Sequence, residues 1–121
     1  MTEEEANRLF KYWVKVLHLE DWEIVFKWKV RANDMNLEKS VGCNSYNETD
    51  GSSLIQILDE DEYNNDLFPM DYEKTLVHEL LHLKFAFLDD SGDAIRDSMT
   101  HRLINDMSKA LVEARRSDAK D

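Results

Sequence analysis

Two histidines and a glutamate in the middle of the chain have side chains and a spacing that could do chemistry. His78 and His82 are four residues apart, and Glu79 directly follows the first of them. On a helix, side chains four residues apart lie on one face, so both imidazoles could bind a single zinc ion at about 2.0–2.1 Å. Glu79 would lie about 100° further around that helix. There it is outside the ligand set but close enough to take a proton from water that zinc activates.

A third ligand is expected, because catalytic zinc usually takes three protein ligands. His101 follows His82 by 19 residues, which leaves room for a loop and two turns of a returning helix. On a helical wheel it lies beside Ile104, on the flank of an apolar stripe. Asp97, one turn earlier, is the reserve candidate and could otherwise support the ligands. Asn105, one turn after His101, could accept the free N–H of a ligand imidazole; a solvent-exposed Asn is the alternative.

The composition predicts one folded domain spanning residues 1–121. Hydrophobic residues make up 42% and aromatic residues 10% of the chain, which argues against disorder. The single Cys43 excludes an intramolecular disulfide, nothing near it marks an activated thiol, and His18 is interpreted as structural. The acidic first residues do not resemble a signal peptide, and no apolar stretch approaches 18 residues. We therefore expect a cytoplasmic protein without a membrane partner.

The charge is strongly acidic and unevenly distributed. A net charge of −11 argues against nonspecific nucleic-acid binding, which depends on Lys and Arg contacts to phosphates. Between Lys39 and Lys74 there is no basic residue, whereas nine Asp and Glu residues fall there. A solvated loop surface is the simpler interpretation. An acidic rim that attracts basic substrates is the alternative.

Hydrophobic spacing predicts the elements that must position the histidines. A capping box at Thr2 begins an amphipathic helix that ends near Leu17. Alternating residues predict strands over 22–30, 38–46 and 52–58, and the acidic segment 59–68 is expected to be a loop. Asp71 is the expected N-cap of a buried motif helix that ends near Leu88.

A last helix is predicted from about Asp93 to Arg116, and residues 117–121 are expected to be a frayed tail. Its predicted apolar stripe contains Ile95, Met99, Leu103, Met107, Ala110, Leu111 and Ala114. The order of helix, three strands, motif helix and final helix predicts a compact α+β fold with a mainly antiparallel sheet.

Three segments resemble the zincin superfamily, and more narrowly its small single-domain gluzincin-like metallopeptidases, some of which are encoded in phages and prophages. They are Leu19–Ile24 (Leu-Glu-Asp-Trp-Glu-Ile), Thr75–His82 (Thr-Leu-Val-His-Glu-Leu-Leu-His) and His101–Leu111. The resemblance covers most of the chain and implies a minimal zincin-like fold.

By this resemblance His78 and His82 match zinc ligands and Glu79 matches the general base. His101 stands at the third-ligand position, where gluzincins usually have Glu. The resemblance also implies an Asp or Asn one turn later, which Asn105 provides. It implies a Tyr or His that stabilises the transition state, and Tyr46, Tyr63 and Tyr72 are available.

Two functions from different classes follow from these patterns. The first is a zinc-dependent peptidase in which Glu79 assists the attack of zinc-activated water on a peptide or protein substrate. The second is a zinc-bound regulatory or interaction module with the same fold and little or no turnover.

Overall fold

The computed structural model describes residues 1–37, 39–63, 67–88 and 91–120. Within them lie three α-helices and one three-stranded sheet, so the predicted α+β class is confirmed. Glu38 of the second predicted strand, residues 64–66 of the predicted acidic loop and Asp121 of the predicted tail lie outside the described residues. Among the described residues, no helix has the length and apolar character needed to cross a membrane.

Helix α1 spans Glu3–Val16 and begins where the capping box predicts. The Thr2 side chain accepts a hydrogen bond from the Glu5 backbone N–H at 3.2 Å. Trp13 is 1% exposed and anchors the helix in the core. At the other end His18 adopts a left-handed conformation, with φ of 56°, which turns the chain toward the first strand.

The sheet has two differently oriented strand pairs. Its strands are β1 (Glu23–Val30), β2 (Gly42–Asn47) and β3 (Ser52–Leu58), in the spatial order β1-β3-β2. β1 is parallel to the central strand β3, and β2 is antiparallel to it. The sheet is therefore mixed, and the prediction that it is mainly antiparallel was wrong. Hydrophobic alternation shows which face of a strand is buried but not the direction of its neighbour.

Helix α2, which carries the motif, spans Tyr72–Lys84 and packs against α1, β2 and a third helix. The Asp71 side chain caps it by accepting a hydrogen bond from the Lys74 N–H at 3.1 Å, as predicted. The helix ends four residues earlier than Leu88, and Ala86–Leu88 form a separate 3₁₀ turn. Buried residues surround most of α2: Tyr72, Glu73, Leu76, Val77, Glu79, Leu80, Leu81 and Leu83.

Helix α3 spans Ala94–Lys120, so the helix continues past the predicted end at Arg116 and includes most of the predicted tail. Its buried face also differs from the predicted stripe. Ile95 is 74% and Met99 67% exposed, whereas the buried residues are Thr100, Ile104, Ser108 and Val112. Met107 and Leu111 are half-buried against the core, as predicted. His101 and Asn105 border this buried face and point along the side where α3 meets α2.

Candidate metal centre

Three histidines from two helices converge between α2 and α3. The Nε2 atoms of His78 and His82 are 3.2 Å apart. Ligand nitrogens of these two and of His101 all lie within 4.8 Å of one another. Two nitrogens bound to one tetrahedral zinc at 2.1 Å are about 3.4 Å apart, which the α2 pair already matches. The three imidazoles lie close enough to hold one metal ion. They are the same three histidines that the sequence predicts as ligands.

The environment keeps His78 in the form that binds metals. Its pKa is lowered to about 4, chiefly by burial and also by the neighbouring His82 and His101, while a hydrogen bond with Asn105 opposes this shift. At neutral pH the ring is therefore uncharged, as a metal ligand must be. The Asn105 side chain contacts an imidazole, as the sequence suggested, but that imidazole belongs to His78 on the facing helix.

Glu79 lies beside the histidines in a tight contact between α2 and β2. Its side chain is 7% exposed, and burial raises the pKa of its carboxyl to about 7. A Cβ atom at Gly42 would lie 2.7 Å from Thr75 Cγ2 and 2.9 Å from Glu79 Oε2. Only a residue without a side chain fits there, so the first residue of β2 sets how closely the strand approaches the carboxylate.

Asn44 fixes the same strand to the motif helix. Its Nδ2 donates a hydrogen bond to the Glu79 carbonyl at 2.8 Å, and its Oδ1 accepts one from Ser53 Oγ at 2.7 Å. Sequence reasoning singled out neither Asn44 nor Gly42. Their alternate spacing places them on one face of a strand, but only the pairing of β2 with the helix shows that this face meets Glu79.

The histidines and Glu79 border an open cleft of about 830 Å³. Tyr46 lines this cleft, two residues beyond Asn44 on the same face of β2. The other two candidate tyrosines have partners elsewhere: Tyr63 donates to the Phe68 carbonyl, and Tyr72 accepts from the Glu60 N–H. Of the three tyrosines, Tyr46 is the one that lines the cleft which the histidines border.

Asp97, the reserve ligand, lies in the cleft, whereas His18, interpreted as structural, lies outside it. Asp97 lines the cleft one turn before His101, and its carboxylate accepts hydrogen bonds from the N–H and the hydroxyl of Ser91. It thus holds the segment that leads into α3 and is not a member of the three-residue metal group. His18 lies at the end of α1, where its carbonyl accepts from Lys84 Nζ at 3.4 Å. Its position agrees with a structural role.

A buried ionic network anchors the first turn of the motif helix. Glu73, 2% exposed, accepts hydrogen bonds from Trp13 Nε1 at 2.8 Å and from the Arg115 guanidinium at 2.5 and 2.8 Å. Arg116 bridges Glu73 and Asp71. Burial raises the pKa of Glu73, but the hydrogen bonds from Arg115 and Trp13 outweigh it and hold this carboxyl below its usual pKa. The network joins α1, α2 and α3, so it fixes the two helices that carry the histidines.

Comparison with known proteins gives no relative. No family model matches the chain, and neither the curated proteins nor the solved structures contain a match.

Proposed function

We propose that this protein is a zinc-dependent peptidase of the gluzincin-like kind. One observation carries the proposal: three imidazoles that can hold one metal ion border an open cleft, with a buried carboxylate directly beside them. Each part has a task in metal-assisted hydrolysis. A purely structural metal site would be closed by a fourth protein ligand and would need neither the cleft nor the carboxylate.

The donor set favours zinc. Three neutral nitrogen ligands are common at catalytic zinc, whereas calcium and magnesium prefer oxygen ligands. His78, His82 and His101 would hold the ion, and Asn105 would orient the first of these rings through its hydrogen bond. Bound zinc supplies Lewis acidity, which polarises a carbonyl and lowers the pKa of water.

Glu79 would be the proton carrier. Its pKa of about 7 suits a group that takes a proton and then returns it at neutral pH. A cation bound to the adjacent imidazoles would lower this pKa by direct attraction. In the reaction the carboxylate takes a proton from the attacking water and passes it to the nitrogen of the departing amine. From the β2 side, Gly42 packs against the carboxylate, and Asn44 holds the Glu79 backbone through its carbonyl.

The substrate would lie along β2. Among the described strands it lies at the edge of the sheet, beside β3, so its outer backbone groups can pair with an extended peptide. Such a peptide would pass over Glu79 and the histidines, because β2 lines the same cleft. Tyr46 is then the candidate hydrogen-bond donor to the oxygen that becomes negative in the transition state.

The test is a comparison of wild type with Glu79→Gln, which keeps the size of the side chain and removes the base. Both zinc-loaded proteins are incubated with a broad peptide library and with denatured protein, and products are read by mass spectrometry. We expect cleavage by wild type and a loss of about 10²-fold or more in the variant, with the zinc content unchanged. Identical behaviour of the two proteins would leave the zinc-bound interaction module as the better interpretation.

A further inference from the structure

Two adjoining cavities beside the histidines are lined by charges of opposite sign. Glu48 and Asp97 line the larger one, together with His101 and Tyr46. Lys74 and Lys109 line the smaller one, of about 330 Å³. His78 and Glu79 border both cavities, so the two adjoin at the reactive groups. We call the two cavities together the groove, the larger one its acidic end and the smaller one its basic end.

Helix α3 forms one wall of this groove with residues spaced one turn apart. Asp97, His101, Asn105 and Lys109 succeed one another at intervals of four residues, so successive members lie about 40° apart and the row winds by about 120° around the helix. The distance from first to last is about 18 Å at 1.5 Å per residue. An extended peptide covers this length with about five or six residues. The groove is thus long enough to contact side chains on both sides of a scissile bond.

The facing elements show the same polarity. On α2, Lys74 precedes His78 by one turn, at the basic end of the groove. On β2, Gly42 lies beside Glu79 near this basic end, and the strand then runs past Tyr46 toward Glu48 at the acidic end. Helix α3 therefore carries a charge of each sign, α2 adds a positive charge at the basic end, and Glu48, directly after β2, adds a negative charge at the acidic end.

These charges are available to a ligand. Glu48 and Lys109 are exposed, and the Lys74 ammonium lies 3.4 Å from Glu113, which is itself 66% exposed. This pair is partly exposed, with Lys74 30% exposed, so it is weak and the lysine can exchange its partner for a charge on a ligand. The Asp97 carboxylate accepts hydrogen bonds from Ser91. The protein is otherwise strongly acidic, and the two lysines are concentrated at the smaller cavity.

We propose that the groove selects peptides with basic residues on the N-terminal side of the scissile bond and acidic residues on its C-terminal side. This inference rests on the proposed peptidase function and on the direction in which a peptide would pair with β2. Antiparallel pairs are more stable and more frequent than parallel ones. A peptide antiparallel to β2 has its N-terminal half near Glu48 and Asp97, and its C-terminal half near Lys74 and Lys109. Opposite charges across the interface then set both register and orientation.

The experiment uses two synthetic peptides of identical composition. One has two lysines, then four neutral residues, then two aspartates; the other has these blocks in the reverse order. Binding to zinc-loaded Glu79→Gln is measured by fluorescence anisotropy at low salt, and cleavage by zinc-loaded wild type is measured by mass spectrometry. The lysine-first peptide should bind at least about fourfold more tightly, which needs only about 0.2 kcal/mol from each of four charge pairs, the low end for surface pairs.

A charge swap in the groove gives the decisive control. Lys109→Glu combined with Glu48→Lys keeps the net charge and should remove or invert the order preference. The matched variant, Lys11→Glu with Glu20→Lys, exchanges the same charges at exposed positions outside the groove residues and should leave the preference unchanged.

The outcomes separate this inference from the proposed function. An order preference that follows the groove charges, without cleavage by wild type, would support the charged groove and contradict the peptidase. Cleavage without an order preference would support the peptidase and overturn the charged groove. Binding of neither peptide, or preference for the aspartate-first peptide, would also overturn it.

Discussion

His78 and Glu79 are neighbours in sequence, and burial shifts their pKa values in opposite directions. The imidazole is held near a pKa of about 4 and the carboxyl near about 7. Both shifts favour the neutral form, which is the state that a mostly apolar environment stabilises. In the metal-free protein each shift reduces stability over part of the pH range, and binding of a cation would compensate for both.

The cost of burying Glu79 should be visible as a pH-dependent effect of Glu79→Gln in the metal-free protein. The folded pKa of about 7 lies above the value of 4.5 for an unfolded chain. The carboxyl therefore reduces stability little below pH 4.5 and progressively more as the pH rises to 7. Relative to wild type, the variant should gain about 3 kcal/mol between pH 4 and pH 8, from about 1.4 kcal/mol per pKa unit. Urea unfolding in the presence of a chelator measures this, and a difference that is the same at both pH values would contradict it.

Gly42 should tolerate no side chain, because β2 approaches α2 so closely at this point. Gly42→Ala should destabilise the fold by about 1–3 kcal/mol, the usual cost of overpacking, and should displace the Glu79 carboxylate. Thr75→Ser removes the methyl group that the new Cβ would meet at 2.7 Å. Adding it to Gly42→Ala should recover part of the lost stability. Denaturant unfolding of the single and double variants tests this, and a neutral Gly42→Ala would show that the two elements can move apart freely.

At the scale of elements, α3 shows what the sequence could and could not predict. The helix and the place of His101 on it follow from the spacing, but two apolar faces compete in its first half. Ile95, Met99 and Leu103 form one, and it is exposed; Thr100 and Ile104 lie on the other, which is buried. The choice depends on which face meets α2, and hydrophobicity alone does not contain that information. The direction of β1 relative to β3 was missed for the same reason.

The histidine cluster itself was predictable because the spacing of its first two members is local and marks the motif. Two of its members lie one turn apart on a single helix, and the third could be found by counting along the next helix. Gly42 and Asn44 were not predictable in this way, since their role depends on the contact of an edge strand with that helix. Residues whose task arises from long-range contacts carry no short sequence signal.

Glu73 should be the most sensitive position among the contacts that hold the helices together. Glu73→Ala would leave the Arg115 guanidinium and the Trp13 N–H without their shared acceptor. We expect a loss of about 3 kcal/mol, as is usual when one member of a buried ion pair is removed. Glu113→Ala is the matched control, because this exposed carboxylate also pairs with a cation but should cost less than about 1 kcal/mol. Equal effects in the two variants, measured by denaturant unfolding, would show that the network is not a main tether.

At the scale of the whole molecule, a metal between α2 and α3 would join the buried motif helix to the longest helix. An ion that binds the folded chain but not the unfolded one stabilises it by mass action, by about 2.7 kcal/mol at a hundredfold excess over Kd. For a domain of this size 1 kcal/mol corresponds to several degrees. A chelator should therefore lower the melting temperature of the zinc-loaded protein by at least about 5 °C. In His82→Ala one of the two α2 ligands is missing, so a chelator should not change the melting temperature. A similar decrease in both proteins would place the stabilising ion elsewhere.

The most direct measurement of the central claim is the zinc content of the purified protein and of two histidine variants. Elemental analysis after dialysis should find about one equivalent of zinc per chain in wild type, the content of a single three-ligand site. His101→Ala should lose most of it, whereas His18→Asn should keep it, because His18 lies at the end of α1 and outside the cluster. Wild-type protein that binds no zinc, or a His101→Ala variant that retains the full equivalent, would contradict the three-histidine centre.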